Sequence, residues 1–111
     1  LEPRLIELGF GSWEGLTWKD VRHADPADAA RRKADKWRCV PPGGESYAML
    51  HERVRPVITS LSDETVVVAH GGVARAFLVE LTGMEEAAAT LADIWQGRLL
   101  VFDEGGAFWV P

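Results

Sequence analysis

Apolar residues recur every three or four positions at Tyr47, Leu50, Val54, Val57, Ile58 and Leu61, the spacing of one helix face. Pro56 lies inside this run and is expected to kink the helix or split it. Beyond the turn at Ser62-Asp63-Glu64, residues Thr65-Val66-Val67-Val68-Ala69 form an unbroken strand-forming run. A strand covered on both faces is apolar along its length in this way. The run leads into His70-Gly71-Gly72, and helical spacing returns at Val73, Phe77, Leu78 and Leu81, with Gly83 placed as a C-terminal cap. A weaker helical piece covers about 85–91. Residues 98–102 and 107–110 read as a hairpin around Glu104-Gly105-Gly106.

The first half is patterned by its punctuation. Residues 1–16 are irregular, with glycines at 9, 11 and 15 between Phe10 and Trp13, which predicts a tight, closely packed loop. Thr17 fits a helix N-cap with Asp20 as the reciprocal acid of a capping box, and a short helix should reach about Ala24. Pro26 suits a first helical position, and 27–37 is alanine-rich and helical by propensity. Val40-Pro41-Pro42-Gly43-Gly44 is a loop, after which Glu45-Ser46 opens the helix, with Ser46 as its N-cap. No repeat, low-complexity segment or internal boundary appears, so residues 1–111 are expected to form one α/β domain.

Composition narrows the classes. With 47% hydrophobic and 26% charged residues in 111, the chain is globular rather than disordered. A formal charge of −5 argues against nucleic acid as a partner. Residues 62–111 carry only Arg75 and Arg98 against eight acids, the pattern of a solvated surface. The lone Cys39 permits no intrachain disulfide and fits a reducing, cytoplasmic compartment. No run approaches the ~18 apolar residues of a membrane span. His23, His51, His70 and Cys39 lack metal-ligand spacing, and no metal or cofactor is called for. The five tryptophans read as core and loop anchors rather than base-stacking platforms.

His70 is the leading candidate for chemistry. It stands where a strand gives way to a helix, the position at which open α/β sheets bind ligands. The first amides of that helix lack intrahelical acceptors and favour an anion there. Imidazole also suits acid–base work near neutral pH. Glu7, in Arg4-Leu5-Ile6-Glu7-Leu8-Gly9-Phe10-Gly11, is either a plain surface residue or a general acid sheltered by a glycine-lined loop. Glu45 and Ser46 follow two loop glycines and are candidates for a substrate loop. Arg75 is expected on a helix, facing solvent. Arg31, Arg32, Lys33, Lys36 and Arg38 read as a solvated basic face, and His23 and His51 as surface residues.

Three blocks then stand in order: Arg4-Leu5-Ile6-Glu7-Leu8-Gly9-Phe10-Gly11-Ser12-Trp13-Glu14-Gly15; Pro41-Pro42-Gly43-Gly44-Glu45-Ser46 with Arg53-Val54; and Val66-Val67-Val68-Ala69-His70-Gly71-Gly72. Together they resemble the histidine phosphatase superfamily, the phosphoglycerate mutase-like group. The resemblance implies a three-layer α/β/α fold. It also implies that His70 contacts a transferred phosphoryl group, with Gly71 and Gly72 beside it. Glu7 would be the proton donor to the leaving oxygen, with Glu45 and Ser46 near the pocket.

The family's nucleophile is a histidine in an Arg-His-Gly motif, and this sequence contains no such tripeptide. The chain opens at Leu1-Glu2-Pro3 within structured sequence. It is therefore expected to be the C-terminal portion of such a domain, incomplete at its N-terminus and inactive alone. The parent would hydrolyse a small phosphate monoester through a phosphohistidine intermediate, without metal. The short stretch between Glu7 and His70 favours a phosphatase over a mutase. The Gly-Glu-Ser-Tyr helix with its valine strand also resembles sugar-bisphosphate phosphatases and bacterial α-ribazole-type enzymes.

Competing readings are a non-catalytic phospho-ligand-binding or scaffold chain and a phosphoglycerate mutase-type phosphotransferase. An α/β-hydrolase would need a Gly-x-Ser-x-Gly elbow that is lacking. The expected partner is a small phosphorylated metabolite, with no nucleic acid and no membrane. A strand at 65–69 without its neighbour would favour self-association, or complementation by a missing N-terminal segment.

Overall fold

The structure is a computed structural model and describes residues 1–111. The N-terminal loop is held by two 3-10 turns, Pro3–Leu5 and Gly11–Trp13. Five helices follow: α1 Trp18–Ala24, α2 Pro26–Ala34, α3 Tyr47–Ser60, α4 Gly71–Thr82 and α5 Glu86–Leu91. The chain ends in a hairpin of β1 Leu99–Asp103 and β2 Gly106–Val110. Its strands are antiparallel, with Leu99 opposite Val110 and Asp103 opposite Gly106.

Local chemistry sets most boundaries. At α1, Thr17 and Asp20 exchange side-chain and backbone hydrogen bonds in a full capping box. Ser46 Oγ accepts from the Met49 N–H at 3.1 Å and starts α3. Gly83 closes α4 in the left-handed conformation. Helix α2 stops at Ala34, short of the expected 37. Asp35 takes the Arg38 N–H at 3.1 Å, and such a local side-chain bond competes with helix continuation. The turn then swings Trp37 inward to stack on Tyr47, with centroids 6.1 Å apart.

Helices α3 and α4 pack against each other over the main core. Leu50, Val54 and Ile58 of α3 meet Val73 and Phe77 of α4, with Leu8, Trp37 and Tyr47 closing the cluster. Leu50 and Val54 are fully inaccessible, and burial of such a side chain stabilises by about 1.5–3 kcal/mol. The hairpin joins through Phe102, whose ring lies 6.0 Å from that of Phe77. A smaller cluster of Trp13, Val21 and Cys39 secures the N-terminal loop on α1.

Three expectations are corrected. Pro56 does not split α3, which runs unbroken from Tyr47 to Ser60, because its apolar face is already fixed on the core by Leu50, Val54 and Ile58. Leu81 is exposed, and Leu61 lies beyond the helix as its C-cap. The sheet differs most. Residues 65–69 are extended but join no ladder, and the hairpin is the whole sheet, so a three-layer stack around a strand at 65–69 is not formed here. Val67 packs on the core, whereas Val66 and Val68 are 85% and 92% exposed.

Candidate active site

The site assembles where the N-terminal loop crosses the start of α4. His70 is the N-cap residue of α4, with extended backbone and an exposed side chain that makes no capping bond. Its carbonyl accepts the Ala74 N–H at 3.0 Å, which leaves Gly71, Gly72 and Val73 as the first-turn amides. Glu7 reaches this helix end from 65 residues away, its Oε2 accepting from the Gly72 N–H at 3.4 Å. The same carboxylate accepts the Leu8 N–H at 2.7 Å through Oε1. A Cβ at position 72 would collide with Glu7 Oε1, so glycine is what allows the approach.

Glu45 and Arg53 hold the loop that carries Glu7. Arg53 Nη2 donates to Glu45 Oε1 at 2.7 Å and Nε to Oε2 at 3.2 Å. The guanidinium also donates to the carbonyls of Arg4, Ile6 and Glu7. Glu45 Oε1 accepts the Gly9 N–H at 3.2 Å, and the Glu45 N–H donates to Gly9 O at 2.8 Å. Glu45 thus faces the loop backbone, and Ser46 is occupied as a helix cap. The Arg4 side chain turns outward to Glu2, whose carboxyl it holds down at about 2.

Arg75 does not face solvent. It folds back across the first turn of α4, with Nη2 donating to Ala92 O at 3.0 Å and a buried Nε that has no partner. A Cβ on Gly71 would come within 3.2 Å of its Nη1. Arg32 is only part of the expected solvated face, since its guanidinium lies 4.0 Å above the Trp18 ring and burial holds it below the usual arginine range. Burial first, then Arg32 and Arg75, likewise hold Lys36 below the usual lysine range. Arg32 and Lys36 thus lie within electrostatic reach of Arg75.

His51 is half-buried rather than at the surface. Its Nε2 lies 2.8 Å from Glu80 Oε2, and its ring packs against Trp37. His23 is exposed on α1. The structure therefore brings Glu7, His70, Gly71 and Gly72 together and keeps Glu45 and Ser46 behind them. Arg53 was named in sequence only as part of a motif. Its spacing from Glu45 across two helical turns, beside a buried stripe, is the signal that marks its contact.

A carboxylate, an exposed imidazole and the first-turn amides of one helix form a junction suited to an anionic ester. The sequence matches the histidine phosphatase superfamily (branch 1) over residues 1–109, and the chain belongs to that family. It is 39% identical over 79 residues to 6-phosphofructo-2-kinase 1 of Saccharomyces cerevisiae, a region covering 67% of this chain and 10% of that protein. Among solved structures, a putative alpha-ribazole-5'-P phosphatase from Escherichia coli aligns with a TM-score of 0.77 at 26% identity. That alignment covers 98% of this chain and 57% of the other. A mycobacterial glucosyl-3-phosphoglycerate phosphatase, in complex with VO3, aligns at 0.68 and 25% identity, over 98% and 60% of the two chains.

These findings correct the reading of the chain as only a C-terminal portion, incomplete at its N-terminus. The family match takes in residue 1, and the Escherichia coli structure accounts for 98% of the chain. The expectation of a chain inactive for want of its nucleophile segment is corrected with it, while the absence of an Arg-His-Gly tripeptide stands as a fact of the sequence, which spans 57% and 60% of the two solved relatives.

Proposed function

We propose that this chain acts on the phosphoryl group of a small phosphate monoester, as a phosphatase of the histidine phosphatase type. The observation that carries this reading is the Glu7 carboxylate seated on the Gly72 N–H, two residues from His70. His70 and the amides of Gly71, Gly72 and Val73 hold the non-bridging oxygens, where fixed dipoles meet developing charge. As an in-line nucleophile forms its bond to phosphorus the ester P–O bond breaks, Glu7 gives a proton to the leaving oxygen, and water ends as the acceptor of the phosphoryl group. An arriving phosphoryl group competes with Glu7 for the Gly72 N–H, and a proton on the carboxylate relieves that competition. Two of the solved relatives carry phosphatase names, for an alpha-ribazole phosphate and a glucosyl-phosphoglycerate, which supports a small phosphorylated metabolite and hydrolysis over mutase transfer.

No helix is long and apolar enough to cross a membrane, and Cys39 is free and buried. A cytoplasmic setting is part of the proposal. So is pairing between copies through the exposed strand-like segment at 65–69.

Orthovanadate titration followed by amide NMR tests the site, beside turnover of p-nitrophenyl phosphate and a sugar-phosphate panel near pH 6. Shifts are expected at Gly71, Gly72 and Val73. His70→Ala should weaken binding by about 1–3 kcal/mol, and Glu7→Gln should lower kcat by roughly 10²–10⁴-fold. Shifts that spare the start of α4, together with no turnover, overturn the proposal.

A further inference from the structure

We infer that Glu45 and Arg53 are positioning residues that set the pose of Glu7 against α4. The catalytic meaning rests on the proposed function; the geometry does not. Residues 6–10 belong to no helix or strand, so no ladder fixes the backbone on which Glu7 stands. The ion pair replaces one. Its guanidinium takes the carbonyls of residues 4, 6 and 7, and its carboxylate takes the Gly9 amide. The loop is therefore gripped on both sides of Glu7, and the Glu7 carbonyl itself is one of the held groups.

Both side chains are largely removed from solvent, at 25% and 19% exposed, and the pairing engages both carboxylate oxygens. Arginine alone supplies this planar fork of donors; lysine offers a single point charge. The grip is anchored in turn. Ser46 fixes where α3 begins, and Leu50 and Val54 on either side of Arg53 are fully buried against α4. Side chains on a helix lean toward its N-terminus, which carries the Arg53 guanidinium back to Glu45. The same helix that seats α4 thus seats the Glu7 loop, and the carboxylate meets the Gly72 N–H because both are referenced to α3.

The pair acts through the proton donor and makes no contact of its own with the phosphoryl group, and this separates its role from general stabilisation. The test uses Arg53→Met, Arg53→Lys and the milder Glu45→Gln in the whole chain. In the parent protein, acid titration of the Glu7 carboxyl carbon and of the Gly72 amide should share one midpoint, a link that Glu7→Gln abolishes. In Arg53→Met the Gly72 amide should cease to follow Glu7 while the Phe77 and Leu78 amides stay in place. Arg53→Lys and Glu45→Gln should weaken the link, so the readout survives if the methionine variant fails to fold.

Turnover of p-nitrophenyl phosphate should show kcat reduced by roughly tenfold or more, the scale of a misplaced catalytic group, with KM unchanged or lowered, because releasing Glu7 frees the Gly72 N–H for the phosphoryl group. A folded Arg53 variant in which Gly72 still tracks Glu7 overturns the inference. A parent protein that neither binds vanadate nor turns over overturns the phosphatase reading instead, and the NMR arm still decides the role of the pair.

Discussion

A methyl group added at Gly72 would strike the Glu7 carboxylate and press Leu50 Cδ2 at 3.1 Å. The carboxylate is the flexible partner, so Gly72→Ala should displace Glu7 rather than open the core. Overpacking against Leu50 costs about 1–3 kcal/mol, offset by the roughly 1 kcal/mol that alanine gains over glycine in a helix. A urea melt should therefore show a loss of about 0–2 kcal/mol while p-nitrophenyl phosphate turnover falls about tenfold or more; a larger loss of stability with turnover retained would place the role of Gly72 in folding. The junction at His70, Gly71 and Gly72, where α4 begins, was legible because an apolar run, an imidazole and paired glycines are contiguous. Glu7 was legible only through the motif around it, since its partner lies 65 residues away. For Arg53, the spacing from Glu45 marks the ion pair, but its other acceptors are main-chain carbonyls, and no residue type announces those.

At the scale of elements, ends written in neighbouring residues were readable and those depending on distant partners were not. The Thr17–Asp20 box is local, and α1 begins where it predicts. There the Thr17 backbone N–H first, then its hydroxyl, hold the Asp20 carboxyl below the usual aspartate range. A folded value below the unfolded one means stability fully present above the ordinary range near ~3.9 and lost as pH falls through the folded value. The stability difference between the parent chain and Asp20→Asn should therefore shrink as pH drops from 7 to 3; a constant difference would remove Asp20 from the cap. Pro56 shows packing overriding propensity. Within α3 it denies the Glu52 carbonyl a donor, and it is itself exposed. Pro56→Ala should stabilise by about 2–2.5 kcal/mol, the helical proline penalty less what proline saves in the unfolded chain; a lower melting temperature would show that the ring itself supports α3. The strand read at 65–69 had the right composition, but a strand is completed by hydrogen bonds to another segment, and none lies beside it.

That open segment shapes the behaviour of the whole molecule. Val67 is turned into the core while Val66 and Val68 stand out at 85% and 92% exposure, so one face is anchored and the other is bare. The backbone there offers unpaired donors and acceptors beside an apolar surface, the arrangement that templates edge-to-edge pairing. A second copy presents the same edge, and two-fold pairing closes on itself without forming a filament. The formal charge of −5 opposes the encounter, so salt should strengthen association by screening it. Sedimentation over micromolar concentrations should show a monomer–dimer equilibrium that shifts toward dimer with added salt, and a melting temperature that rises with protein concentration. Val66→Lys with Val68→Lys should return the chain to monomer while leaving vanadate shifts at Gly71 and Gly72 in place, because neither valine touches the core cluster on which α4 rests. A monomer at every concentration and salt level would mean that the anchoring of Val67 alone is enough to keep this edge from pairing.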